Sequence, residues 1–127
     1  MSTKHFILIF CAGGAGALSR FGLTVLINKM IGGPFPWGTV TVNMAGCFIF
    51  GVLWELISSR ALSDPTRLII LVGFVGSFTT FSSFIFDSFA LGGHDRFGLA
   101  VLNVIFQNII GIFSLYLGVA FMKMIIK

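Results

Sequence analysis

A chain of 127 residues that is 57% hydrophobic and 9% charged, with a mean hydropathy of +1.05, is excluded from the small soluble domains. A domain of this size keeps too much surface exposed to hide that much apolar area. The net charge of +4 is spread over loops and tails, which marks membrane edges in preference to a nucleic-acid surface.

A spanning helix needs ~20 mostly apolar residues. Four such stretches divide the chain, at 5–27, 37–58, 67–90 and 97–122. The breaks NKMIGGPFP (28–36), SRALSDPT (59–66) and LGGHDR (91–96) carry turn chemistry and are too short for a soluble domain. The expectation is one all-α membrane domain over 1–127, multi-pass, in the cell (inner) membrane.

The first stretch lacks a small-residue cleavage site and its glycines run through its middle, so it reads as a retained helix. Gly13, Ala17, Arg20 and Thr24 share one face. Arg20 lies roughly 20 Å along the span, past its middle. A charge there marks a pathway or a partner, or else snorkels toward the interface. In the second stretch Thr39, Asn43, Gly46 and Phe50 form the corresponding face, and Glu55 lies near the span's end. Small residues at such seams let helices approach, and amides hydrogen-bond across them. Packing alone accounts for the glycines; for Asn43, packing and function weigh evenly. Cys11 and Cys47 fall within spans and read as small buried hydrophobes, with no disulfide or metal site implied.

The third stretch contains GFVGSFTTFSSF (73–84), an odd composition for an apolar helix. Gly73 and Gly76 weaken a helix, and Thr79, Thr80, Ser82 and Ser83 offer its backbone competing hydrogen bonds. Two readings stand, a broken helix and a kinked continuous one. If the helix resumes after Thr80, Phe81 and Phe84 share a face, and the positive edges of their rings suit an anion. Ser83 lies close to that face. In the fourth stretch Asn103, Gln107, Gly111, Ser114 and Gly118 form the longest seam, again with packing and function evenly weighed for the amides.

An even number of spans puts both termini on one side. Lys4, Arg60, Arg67, Lys123 and Lys127 then face Lys29 and Arg96 across the membrane. That balance leans toward cytoplasmic termini and leaves insertion in both orientations open.

GGAGALSRFGL (13–23), GTVTVNMAGCFIFG (38–51) and GFVGSFTTFSSF (73–84), in this order, resemble the Fluc/CrcB family of fluoride channels. The resemblance covers nearly the whole chain, and the TTFS-x-F core is its most specific part. It implies an antiparallel, dual-topology dimer with a broken third helix. The partner is a second copy or a homologous subunit of opposite orientation. It also implies fluoride as the permeating ion and a structural Na⁺ held by the backbone carbonyls of Gly76 and Thr79. Phe81 and Phe84 match the aromatic fluoride box, Asn43 the pore amide, and Arg20 the arginine of the aqueous vestibule. Ser83 and Thr39 match the polar lining. Two departures stand out. Ser77 replaces the second glycine of a common pair, and Asp87 stands where Glu is common, read here as a helix-end cap or loop contact.

The leading function is a passive fluoride channel, with no catalysis, in contact with lipid and not with nucleic acid. A proton- or cation-coupled small anion transporter is the alternative. It requires a titratable group deep in the membrane, whereas Glu55 and Asp87 lie near span ends and His5 and His94 outside the cores. A purely structural subunit explains the glycine seams but not Arg20, Asn43 and the broken span together.

Overall fold

The computed structural model describes residues 3–59, 64–93 and 95–126. Arg60, His94 and Lys127 lie outside the described residues. Four spans are long and apolar enough to cross a bilayer: Thr3–Ile31, Trp37–Ser58, Thr66–Gly93 and Phe97–Ile126. The protein is a multi-pass membrane protein. The first, second and fourth spans are the continuous helices α1 (Thr3–Ile31), α2 (Trp37–Ser58) and α6 (Phe97–Ile126). The third is built in pieces. α3 (Asp64–Leu68) runs into a π-helical segment, Ile69–Val75, then α4 (Gly76–Phe78), a non-helical step, and α5 (Phe81–Gly93).

Helix ends follow local chemistry. α1 stops where Gly32 and Gly33 take positive φ, 66° and 84°, and Pro34 and Pro36 follow. The chain reverses there, so α1 and α2 run antiparallel. The first turn of α2 has N–H groups without intrahelical partners. Asn28 of α1 meets one of them, its Oδ1 accepting the Gly38 N–H at 2.9 Å. At the far end of α2, Arg67 Nη2 donates to the Ile57 carbonyl at 3.1 Å.

Packing divides the molecule into two pairs. α2 packs most extensively on α6, and α1 on the first half of the third span. Glycine makes both contacts close. A Cβ on Gly51 would strike the Leu115 carbonyl, and one on Gly118 the Phe48 carbonyl. A Cβ on Gly16 would strike the Phe74 carbonyl, and one on Gly73 would sit 2.9 Å from Ala12 Cβ. Ser114 Oγ adds a hydrogen bond across the α2–α6 seam, to the Met44 carbonyl at 2.8 Å. The expected α2 face is corrected at one place: Phe50 is exposed, and Gly51 is the residue that meets α6. Cys11 is exposed and Cys47 half-buried, both free thiols. The outer faces are lined by large apolar side chains such as Phe10, Leu18 and Phe21, as a lipid-facing surface requires.

Candidate functional site

The site is organised by the interruption of the third span. Thr79 Oγ1 bonds back to the Val75 carbonyl at 3.1 Å, which already accepts the Thr79 N–H at 3.0 Å. Thr79 then turns extended, with φ −77° and ψ 156°. Thr80 opens the next helix: its Oγ1 accepts the Ser83 N–H at 3.2 Å and donates to Ser83 Oγ at 3.0 Å. This is hydroxyl capping of a new helix start. The interruption therefore comes from hydroxyls competing with the backbone, after the glycines and not at them. Gly76 keeps helical angles, φ −63° and ψ −29°, and Ser77 is helical too, its Oγ 3.3 Å from where a Cβ on Gly13 would lie.

An interruption at membrane depth strands backbone groups, at about 1–3 kcal/mol for each one left unpaired. Asn43 of α2 meets both groups of Thr80. Its Oδ1 accepts the Thr80 N–H at 2.9 Å, and its Nδ2 donates to the Thr80 carbonyl at 3.2 Å. The side-chain amide thus acts as a surrogate peptide. The other Nδ2 proton goes to Gln107 Oε1 of α6 at 2.8 Å. From there the bonds run on, Gln107 Nε2 to Asn103 Oδ1 at 2.9 Å and Asn103 Nδ2 to Ser88 Oγ at 2.9 Å. Ser88 Oγ donates to the Phe84 carbonyl at 2.8 Å. Asn103 is fully buried and Gln107 nearly so, at 0% and 6% exposure.

Two cavities flank the interruption. One, of about 230 Å³, is lined by Asn43, Thr79, Thr80, Phe81, Phe84 and Gln107 among others. The second, about 210 Å³, is lined by Arg20, Phe21, Thr24, Thr39, Thr80 and Ser83. The residues singled out in the sequence therefore separate. Asn43, Thr79, Phe81 and Phe84 fall on one side, Arg20, Thr39 and Ser83 on the other, and Thr80 borders both. The rings of Phe81 and Phe84 are neighbours, with centroids 5.6 Å apart, but Phe84 is 6% exposed and Phe81 75%.

Arg20 is half-buried, and its Nε is buried with no hydrogen-bond partner among the described residues. It lies eight residues, roughly 12 Å, in from Asn28 near the end of α1. Asp87 is neither a helix-end cap nor a loop contact. It lies within α5, and its carboxylate accepts from buried Thr39 Oγ1 of α2 at 2.6 Å.

Sequence reasoning passed over Asn108, an exposed amide of α6 that borders the first cavity and bonds only locally, to the Val104 carbonyl at 2.7 Å. A polar side chain near the middle of an apolar span was the available signal. Thr80 was noted as a helix-weakening hydroxyl, yet its place between the two cavities follows from the fold alone.

Comparison with known proteins identifies the scaffold. The family described as "CrcB-like protein, Camphor Resistance (CrcB)" matches residues 7–119. A protein of Solidesulfovibrio magneticus named "Fluoride-specific ion channel FluC" is 43% identical over 118 residues, 92% of this chain and 94% of that one. One of the same name from Nitrosococcus oceani is 42% identical over 111 residues, covering 87% and 89%. A third, from Thermus thermophilus, is 36% identical over 115 residues, covering 91% and 92%. With four spans, an interrupted third one and matches along most of its length, the chain belongs to the CrcB family.

Proposed function

We propose that this protein is a fluoride channel that lets fluoride leave the cytoplasm passively and so lowers its toxicity. The names of its relatives support the ion. The observation that carries the reading is the cavity at the interrupted helix, where Phe81, Phe84 and Asn43 come together. Fluoride is small and strongly hydrated, so a pathway must replace its water without trapping it. Several weak donors in a row do that better than one fixed charge. Ring edges supply partial positive charge, and amide and hydroxyl groups supply N–H and O–H. On the other side, Arg20 places a cationic group with an unused N–H donor beside Thr39 and Ser83. That arrangement suits an anion-attracting vestibule. The need is chemical: neutral HF enters through lipid and ionises inside, since the cytoplasm is well above its pKa, and the ion cannot recross unaided.

The same proposal includes a structural Na⁺. The backbone supports it. In a continuous helix the Gly76 carbonyl would accept the Thr80 N–H, and the Thr79 carbonyl the Ser83 N–H. Here those protons go to Asn43 Oδ1 and Thr80 Oγ1. Gly76 and Thr79 thus keep carbonyl oxygens for a hard cation, whose preferred ligands are oxygens. Na⁺ would supply the positive charge toward which the negative ends of these neutral dipoles point.

The partner in this reading is a second copy inserted in the opposite orientation, or a homologous subunit so inserted. Gly76 and Phe81 are exposed on the single chain at the interrupted helix, and Asn108 is an exposed amide within α6. Non-helical backbone and polar groups at that depth require protein or a water-lined cavity beside them, not lipid. The test is fluoride efflux from liposomes holding only this chain, with chloride as control. Rapid fluoride release with chloride retained is the expected outcome; equal retention of both would overturn the reading.

A further inference from the structure

The buried amides on α2 and α6 form a chain of hydrogen bonds with a fixed direction. One end is the Thr80 N–H, which can only donate, so Asn43 must present its oxygen there. The other end is the Phe84 carbonyl, which can only accept. Ser88 spends its single proton on it, so Asn103 must present its nitrogen to Ser88. Gln107 lies between, and only one orientation satisfies both neighbours: Oε1 toward Asn43 and Nε2 toward Asn103. Two backbone groups, one at the interruption and one in the first turn of α5, therefore set the orientation of three amides.

The consequence falls on Asn43. Both of its N–H groups are engaged, one with Gln107 at 2.8 Å and one with the Thr80 carbonyl at 3.2 Å. The Gln107 bond is the shorter and is backed by the rest of the chain. The Thr80 bond is the longer, and the same cavity is bordered by Thr80, Phe81 and Phe84. We infer that Gln107 is a positioning residue for ion passage: it clamps one N–H of Asn43 and leaves the other as the single donor that exchanges between the Thr80 carbonyl and a passing anion. Without the clamp, once that donor leaves the Thr80 carbonyl only the Thr80 N–H still holds the amide, and nothing fixes where its N–H groups point. This inference rests on the fluoride reading above.

Two substitutions test it. Gln107→Met keeps the length of the side chain and removes both hydrogen bonds. Gln107→Glu restores the donor–acceptor pattern only when protonated, with one oxygen accepting from Asn43 and its O–H donating to Asn103. As a carboxylate it can only accept, and it faces the Asn103 oxygen. Fluoride efflux is measured in liposomes from about pH 10 to about pH 5, a range that takes in a buried glutamate raised to about 8–9. Each rate is taken relative to wild type at the same pH, after subtraction of protein-free vesicles. Of the titratable groups on the packed elements, Cys47 of α2 lines the same cavity and Asp87 of α5 is held by Thr39. Glu55 lies about three turns beyond Asn43 along α2. All three are common to variant and wild type, so their effect is shared by both terms of the ratio.

The expected result is a loss of about tenfold or more for Gln107→Met at every pH, the scale typical of a lost supporting hydrogen bond at a site. Gln107→Glu should match that loss at high pH and return toward wild type as pH falls. Its recovery in acid supports the inference even if the Met variant fails to assemble. Wild-type flux in Gln107→Met, or a flat ratio for Gln107→Glu at any level, would overturn it. Failure of wild type itself to release fluoride would instead remove the fluoride reading.

Discussion

Phe81 and Phe84 differ in setting more than their shared motif suggests. Phe84 is buried against its own chain, whereas Phe81 projects from it. Both offer a ring edge, and in edge-to-face aromatic pairs that edge contributes about 0.5–1.5 kcal/mol beyond the buried area, the scale taken here for an anion. Ile offers no such edge. Phe81→Ile and Phe84→Ile should each cut fluoride efflux by roughly tenfold, at the upper end of that range, while size-exclusion shows unchanged assembly. Near-normal efflux in both variants would take the rings out of the pathway. Asn43 and Arg20 were visible in the sequence as polar groups in apolar spans, because such residues are costly there and demand a partner. Their partners were not visible. Nothing in the spacing of α2 says that Asn43 meets Thr80, and Asp87 reads as a cap until the fold brings Thr39 to it. Gln107 shows the same limit: its seam position was legible, but not its place in a directed chain running through Asn103 to Ser88.

At the scale of the element, the interruption of the third span was open in the sequence, and the helix does resume after Thr80, the condition on which Phe81 and Phe84 share a face. Its cause was assigned partly to the wrong residues. Gly73 serves the close approach of α1, and Gly76 stays helical. The hydroxyls of Thr79 and Thr80 and the amide of Asn43 divert the backbone bonds instead. The π-helical segment before them had no sequence signal; α1 packs closely on it at Gly73 and Phe74. If the diverted carbonyls of Gly76 and Thr79 hold Na⁺, side-chain substitution there is a weak test, since the ligands are backbone atoms. Replacing Na⁺ with a large organic cation throughout purification and assay is a stronger one. Efflux should fall or the assembly should weaken, and efflux should recover when Na⁺ is returned. Identical behaviour after thorough exchange would contradict the site.

At the scale of the whole molecule, the four spans were legible because membrane helices are written in composition. The pairing of α2 with α6, and of α1 with the third span, was less so, since glycine seams on three spans do not say which seam meets which. Orientation follows from charge. By sequence, Lys4, Arg60, Arg67, Lys123 and Lys127 fall on the side of the termini and Lys29 and Arg96 on the other, a weak bias that permits insertion both ways. A single cysteine placed in the 28–36 loop, on a background lacking Cys11 and Cys47, should therefore be partly labelled by an impermeant reagent in intact cells. Opening the cells should complete the labelling. Labelling from one side only would contradict a pair of identical, oppositely inserted chains and point to a homologous partner.

The central claim is that this chain by itself forms a selective fluoride pathway. The most direct measurement is ion efflux from liposomes reconstituted with the purified protein alone, with fluoride and chloride recorded in parallel. The account predicts fast fluoride release that scales with protein content, with chloride held at the level of empty vesicles. Fluoride held at that same level, with the protein shown to be folded and inserted, would contradict it.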